Sequence, residues 1–329
     1  MRVVVGHRED AAMRITGAAH APLRPGVMAG GLVVEREAVG SAIASALSVA
    51  ETREKATKVM AAIDGDDVRT YHVATTFERE ALSEPMTAGE VTRAIQEARA
   101  DAERTAREEA VNDAALRGIA TVQLRDDIAG LAIDGRSLTS LVGFQGRFVE
   151  VRTDVSLAPL VLASAASGAL DAAKRRGTVI CGAYALGRLL AASGLVEDAV
   201  LRLGADVTAI AVVRGSRVVA TRAFGLGREA FLARPERVEA DAAVWARCVV
   251  APIPGLEGLL PARWHFVGVP EELAALPRAL GDAIAEERGG EAEVGTLRTS
   301  LATRVFSQEA LHSDDLVAVG AAALAAEMA

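Results

Sequence analysis

Two distant stretches of this chain carry the same local pattern, and that repetition narrows the choice of fold more than composition does. Near residue 1, the strand-like runs 2–6 and 13–17 flank a polar turn at residues 7–10, which reads as a β-hairpin. Near residue 200, the strand 199–203 leads into the runs 207–213 and 217–223, which flank Arg214-Gly215-Ser216 as a second hairpin. A strand-first β-lobe therefore begins twice. At 329 residues the chain also exceeds the roughly 250–300 residues at which a single core stops growing. Two α/β lobes are expected.

Between the hairpins the hydrophobic period changes repeatedly. Val39, Ala42, Ile43, Ala46, Leu47 and Ala50 recur at helical spacing; 58–63 reads as a buried strand, Asp64-Gly65-Asp66-Asp67 as a turn, and 68–75 as the strand completing a hairpin with it. Thr87 caps a long charged helix with Val91, Ala94, Ile95, Ala98 and Ala102 on one face, running to about Leu116. That helix reads as a solvated face or as one wall of a protein-binding groove. Short β-like pieces follow at 119–124, 130–133 and 147–153, with turns at Asp134-Gly135 and Gly143, so residues 82–154 form a compact insertion. A helix at 160–176, a strand at 178–181 and helical residues 187–192 return to the first lobe. After the second hairpin come a helix within 234–249, a Pro/Gly-rich loop 252–261, a strand 264–269, a helix 271–287 and an alanine-rich helix from Leu316.

Composition removes several functions. The chain is 51% hydrophobic and 24% charged, ordinary for a soluble α/β protein. Aromatics are 3% and the net charge is −8, which supplies neither stacking platforms nor a basic groove, so nucleic-acid binding is not expected. Cys181 and Cys248 lie in apolar surroundings without zinc spacing, which reads as a reduced, cytoplasmic setting. The start MRVVVGHRED lacks a signal-peptide pattern, and no apolar run approaches the ~18 residues of a membrane span. His7, His20, His72, His265 and His312 have no carboxylate or second histidine at ligand spacing and read as surface or loop residues. The serine-rich pieces 137–140 and 164–167 lack the nucleophile-elbow pattern, and Gly225-Leu226-Gly227 lacks the third glycine of a dinucleotide fingerprint. An unrelated α/β enzyme finds no catalytic constellation here.

A series of small and apolar motifs carries a family resemblance. In order these are Val3 to Gly6, Pro25-Gly26 through Gly30-Gly31-Leu32-Val33, Ala50-Glu51, Val59 to Ile63 ending in Asp64-Gly65, and Met86-Thr87 with Glu90-Val91. They continue with Ile133-Asp134-Gly135 through Gly143, Gly146 and Val149, then Leu203-Gly204 through Ile210-Ala211-Val212, and Val319-Gly320-Ala321-Ala322. In this order and spacing they resemble the FtsA branch of the actin-like ATPase superfamily over nearly the whole chain. The resemblance implies an α/β, actin-like two-lobed fold of ribonuclease H-like repeats with an inserted SHS2-type (1C) domain. On that reading residues 1–81 and 155–195 form the first lobe, 82–154 the insertion and 196–329 the second lobe. It further implies ATP bound between lobes, polymerisation, and recruitment of the tubulin-like FtsZ in bacterial division. PilM, a type IV pilus assembly protein, is similar in fold and insertion.

The chain departs from that pattern where the chemistry would sit. Hydrolysis in this fold uses an acid and glycines at two phosphate hairpins, because carboxylates hold Mg²⁺ and bare N–H groups approach the phosphate. The first belongs upstream of residues 2–6, and this chain starts past it, either through true absence or through a misassigned start. At the second, the family's acid, apolar, Gly, Gly, Gly, Thr is Arg202-Leu203-Gly204-Ala205-Asp206-Val207. Arginine thus takes the acid's slot and Asp206 brings a charge that repels polyphosphate; a shift of one or two residues would instead make Asp206 the acid. The adenosine turn reads Val267-Gly268-Val269-Pro270, with one glycine and a proline that offers no donor. The interval from Phe224 to Trp264 is short for the family's second-lobe insertion, which implies a reduced fourth subdomain. The expectation is a nucleotide-free pseudo-ATPase scaffold that binds FtsZ or another division or envelope protein, with self-association open. No membrane anchor is expected, because Ala325-Ala326-Glu327-Met328-Ala329 is not a basic amphipathic end. The alternative is an ATP-binding, polymerising FtsA- or PilM-type ATPase in which Gly204, Asp206, Thr208 and Gly268 contact ATP and Mg²⁺.

Overall fold

The computed structural model describes residues 1–327; the expectation about the end of the chain falls partly on Met328 and Ala329, outside the described residues. The elements begin with β1 (Arg2–Glu9), β2 (Ala12–His20), β3 (Met28–Ala29), β4 (Leu32–Val33), α1 (Arg36–Ala50) and β5 (Met60–Ile63). Next come β6 (Arg69–Glu78), α2 (Ala88–Asn112), β7 (Thr121–Ile133), β8 (Arg136–Leu138) and β9 (Phe148–Pro159). They continue as α3 (Leu160–Ala172), β10 (Thr178–Cys181), α4 (Gly182–Ala192), β11 (Glu197–Leu203), β12 (Thr208–Arg214) and β13 (Arg217–Phe224). The last are α5 (Arg228–Leu232), α6 (Val238–Val250), β14 (Arg263–Val267), α7 (Ala275–Arg288), β15 (Glu293–Thr296), β16 (Val305–Ser307) and α8 (Leu316–Glu327). Two compact units result, one from Met1–Val68 with the chain from Leu160 onward, the other from Arg69–Pro159.

The first unit holds four sheets: β1-β2-β16, β5-β10, the small pair β3-β4 and a five-stranded sheet. Its second half is one five-stranded sheet in the order β13-β12-β11-β14-β15. The hairpin turn at Gly215-Ser216, both at positive φ, closes β12 onto β13, and β11 then pairs antiparallel to β12 and parallel to β14. Helices α6 and α7 pack together beside it, and α4 packs on β12 and β13. The core gathers on Trp245, which stacks on Phe266 at 5.9 Å and meets the edge of Phe231 at 6.4 Å. Such aromatic burial dominates core energetics.

The first half pairs β1 with β2, adds β16 parallel to β2, and sets β5 parallel to β10. The opening hairpin is longer than expected because pairing continues through Glu9↔Ala12, with Asp10 at φ 52 in the turn. The hairpin expected from 58–63 and 68–75 does not form. β5 finds its partner in β10, and β6 leaves for the other unit, because Asp64 to Val68 redirects the chain rather than folding it back. Helices α4 and α8 pack against each other through Gly320, where a Cβ would lie 2.3 Å from Ala185 O.

The second unit is the antiparallel sheet β6-β9-β7-β8 with α2 packed on β6 and β9. Thr87 Oγ1 accepts from Glu90 N at 3.2 Å and starts α2, whose buried Val91, Ala98, Ala102, Ala106 and Ala110 form its inner stripe. The unit extends beyond 82–154 on both sides, since β6 pairs with β9 from Arg69↔Leu157 to Glu78↔Phe148. The three short pieces are two long strands. Register shifts at Gln123/Arg125 and Ile128/Gly130 break the alternation of β7 and make one strand look like fragments in sequence.

Between β13 and β14 the described residues hold α5, α6 and a loop but no strand. No described helix is long and apolar enough to cross a membrane.

Candidate functional site

The parallel strands β11 and β14 end side by side at Leu203 and Val267, and open α/β sheets bind ligands outside such carboxyl ends. A cleft of about 550 Å³ lies there, lined by Arg2, Arg228, Phe266, Gly268, Pro270 and Asp314 among others. Gly268 makes its wall possible. At φ +77, with a Cβ position 2.8 Å from Leu203 O and 3.1 Å from Asp314 Oδ1, the site admits no side chain.

The other residues singled out in the sequence lie around this cleft rather than in it. Gly204 N donates to Val207 O at 2.9 Å and closes the β11–β12 turn. That turn is already capped by protein: Arg228 N donates to Gly204 O and Glu229 N to Ala205 O. Asp206 is half-buried in the same turn. Thr208 is fully buried, donating to Leu226 O at 2.6 Å and accepting from Trp245 Nε1 at 3.0 Å. Its hydroxyl serves the core.

Arg202, which the sequence resemblance sets against an acid, has an acid of its own. Its Nη1 donates to Asp64 Oδ2 at 2.6 Å, while Asp64 Oδ1 accepts from Ala183 N at 2.8 Å. The buried Asp64 carboxylate therefore ties the end of β5 to the N-terminus of α4 and to β11, where the helix dipole also favours an anion. Arg2 makes a second such clasp, donating to Asp315 Oδ1 at 2.9 Å and Asp314 Oδ2 at 3.0 Å. Burial first, then the neighbouring Arg2, Arg202 and Arg228, holds the Met1 amine below its ordinary pKa.

The carboxylates of Asp64, Asp314 and Asp315 at this end of the cleft are held in ion pairs. Carboxylates are what Mg²⁺ takes as ligands or as acceptors for its waters. Among the described residues no group of three His, Cys, Asp or Glu side chains is placed to hold a metal ion.

Three histidines have carboxylate partners that sequence spacing hid. His7 Nδ1 lies 2.9 Å from Glu54, His72 Nδ1 2.7 Å from Asp154 and His265 Nε2 3.0 Å from Asp198. His72 and His265 sit on β6 and β14 rather than in loops, each beside a buried aspartate of the neighbouring strand. The partners lie 82 and 67 residues away in the sequence. Only strand pairing brings them together.

No protein-family model matches the chain, and no curated protein matches it. Solved structures do. The PilM–PilN type IV pilus biogenesis complex matches at 17% identity with a TM-score of 0.60, over 99% of this chain and 95% of that chain. A Bacteroides thetaiotaomicron protein of unknown function with an actin-like ATPase fold matches at 9% identity and TM-score 0.36, over 85% and 80%. The cytoplasmic domain of EpsL, an inner-membrane component of the Vibrio cholerae type II secretion system, matches at 10% and 0.34, over 98% and 94%. With the PilM structure aligned over nearly the whole of both chains, this chain has a mixed α/β fold of the actin-like ATPase kind.

Proposed function

We propose that this chain is a nucleotide-free actin-fold scaffold that works through protein contacts in an envelope assembly of the pilus type. The observation that carries the nucleotide-free part is the Arg202–Asp64 ion pair: a fixed guanidinium neutralises the carboxylate at the β-strand ends, where a phosphate-bound metal would need it. The assembly part rests on likeness to the PilM–PilN type IV pilus biogenesis complex. A protein partner in PilN's position is accordingly the first to test, with FtsZ, implied by the FtsA resemblance, as the comparison. The inserted unit Arg69–Pro159 corresponds, on this reading, to an SHS2-type domain, and the helical interval between β13 and β14 to a reduced fourth subdomain. Both would serve as working surfaces on the cytoplasmic side.

Isothermal titration with ATP and Mg²⁺ tests the proposal, using an FtsA that retains both phosphate hairpins as positive control. No heat up to millimolar ATP is expected, together with capture of a PilN-type partner by the purified chain. Micromolar ATP binding would overturn the nucleotide-free reading and leave the ATP-binding, polymerising alternative.

A further inference from the structure

The sheet of the second unit has two unlike edges. On one side β8 is three residues long, and the stretch of β7 beyond it carries Arg125, Asp126 and Asp127 together with the register shifts at Gln123/Arg125 and Ile128/Gly130. Short length, charge and bulges keep an edge from pairing with another chain. On the other side β6 runs for ten residues without a register shift against β9. Its stretch Val73-Ala74-Thr75-Thr76-Phe77 holds no charge, proline or glycine, and branched and aromatic residues of this kind favour strand pairing.

The outward backbone of this edge is unpaired. Hydrogen bonding alternates along an antiparallel strand, and Arg79 N donates to Arg147 O at 2.8 Å where the β6–β9 ladder continues. The odd-numbered residues of β6 therefore bond to β9, and the even-numbered ones turn their N–H and C=O groups away from it. Among the described residues no strand but β9 pairs with β6, and no hydrogen bond meets the outward backbone groups of His72, Ala74, Thr76 and Glu78. Thr70 and Tyr71 are buried, whereas Ala74, Thr76 and Glu78 are exposed. The usable edge is the stretch from His72 to Glu78.

We propose that this stretch is a self-association edge, which pairs antiparallel with the same strand of a second copy about a two-fold axis at Thr75. The occupant follows from what such pairing brings together. His72 meets the copy's Glu78, Val73 meets Phe77, Ala74 meets Thr76, and Thr75 meets itself. A basic residue thus opposes an acid, a branched side chain opposes an aromatic one, and threonine opposes threonine, each a favourable cross-strand pair, with no like charges directly opposed. The outward groups form the hydrogen-bonded pairs His72–Glu78 and Ala74–Thr76. On the helix side Thr75 Oγ1 donates to Asp101 at 2.9 Å, and Arg104 binds the other oxygen of that carboxylate, so the two aspartates that approach across the axis each bring a guanidinium. So short a pairing belongs to the small, transient class of interface. A reversible, concentration-dependent dimer is expected, whether or not nucleotide binds.

Sedimentation of the whole protein from micromolar to about millimolar concentration should show dimer growing towards the upper end. Thr76→Pro removes an outward donor and leaves the β9 ladder intact, and Thr76→Lys places a charge on the edge; both keep the parent's circular dichroism and stay monomeric. In a Cys248→Ser background, Thr75→Cys gives a disulfide-linked dimer on mild oxidation, because the non-hydrogen-bonded pair at the axis brings the two Cα atoms to about 4.5 Å. Ser137→Cys, on β8 at the other edge, does not. The amides of Ala74 and Thr76 exchange about tenfold more slowly in concentrated than in dilute protein. A dimer that survives Thr76→Lys and leaves the Thr75→Cys thiol unlinked would place self-association on another face and overturn the proposal. A protein that stays monomeric throughout would overturn it too, as would Ala74 and Thr76 amides that in dilute solution are already as slow as those of Val73 and Thr75. Slowing of those amides by a PilN-type partner, with the chain still monomeric, would assign the edge to a foreign strand instead.

Discussion

Arg202 and Asp64 form one ion pair from residues 138 positions apart, 2.6 Å between Nη1 and Oδ2, with the carboxylate buried and the guanidinium partly in solvent. The pair binds the end of β11 to the end of β5, so it joins the two duplicated halves of the first unit.

Removing one member strands the other. Arg202→Ala leaves the Asp64 carboxylate with only the Ala183 N–H, and we expect a loss of about 2 kcal/mol, below the ~3–5 of a fully buried pair because Arg202 is partly solvated. The double variant Arg202→Met with Asp64→Leu should recover most of that loss. Urea denaturation of both variants provides the check; equal destabilisation of single and double variants would contradict the pairing.

Thr208 gives a different test, because its hydroxyl links two buried groups. Thr208→Val leaves Trp245 Nε1–H and Leu226 C=O without partners, each costing about 1–3 kcal/mol. We expect the stability to fall by about 2–4 kcal/mol and the Trp245 emission to change, while Thr208→Ser stays close to the parent. If valine were neutral, Thr208 would be free for another role, including the ligand contact that the sequence pattern implies.

Much of this fold is legible from local chemistry. The second hairpin announces itself through Gly215-Ser216, α2 through the Thr87 cap and its alanine stripe, and α1 through its helical spacing. The illegible parts depend on partners far along the chain. Val59 to Ile63 is a good strand in sequence, but nothing local says that it pairs with Thr178–Cys181 rather than with the next strand. β15 and β16 are short, and neither carries an alternating pattern, so neither is visible before the sheets they extend. In the cleft Gly268 was readable as a turn glycine, whereas Arg2, Asp314 and Asp315 come together from opposite ends of the chain.

Helix packing at Gly320 is a steric prediction. A Cβ there would sit 2.3 Å from Ala185 O, against backbone that cannot turn aside. Gly320→Leu should force α4 and α8 apart and destabilise by about 3 kcal/mol or more. Gly89, on the first turn of α2 with nothing within 4 Å of its Cβ position, is the control. Gly89→Ala should be neutral or stabilising by up to about 1 kcal/mol. Thermal unfolding of the two variants separates close packing from mere loss of glycine.

Tyr71 sets an alkaline limit on the second unit. Its hydroxyl is buried without a hydrogen-bond partner, and burial first, then the charge of Asp113, pushes its pKa up from 10.0 to about 12. The unfolded chain would ionise this tyrosine near pH 10 while the folded chain still holds the proton. The unfolded state therefore binds fewer protons, and stability falls as pH rises from about 10 towards 12. Below pH 10 both states are neutral at this residue and its contribution is complete. Tyr71→Phe removes the ionisation, so its stability should decline less than the parent's across that window. Absorbance at the tyrosinate band, taken as parent minus Tyr71→Phe, should place the folded transition well above pH 10; a transition at pH 10 would mean that the hydroxyl is solvated and the packing of β6 against α2 is looser than described.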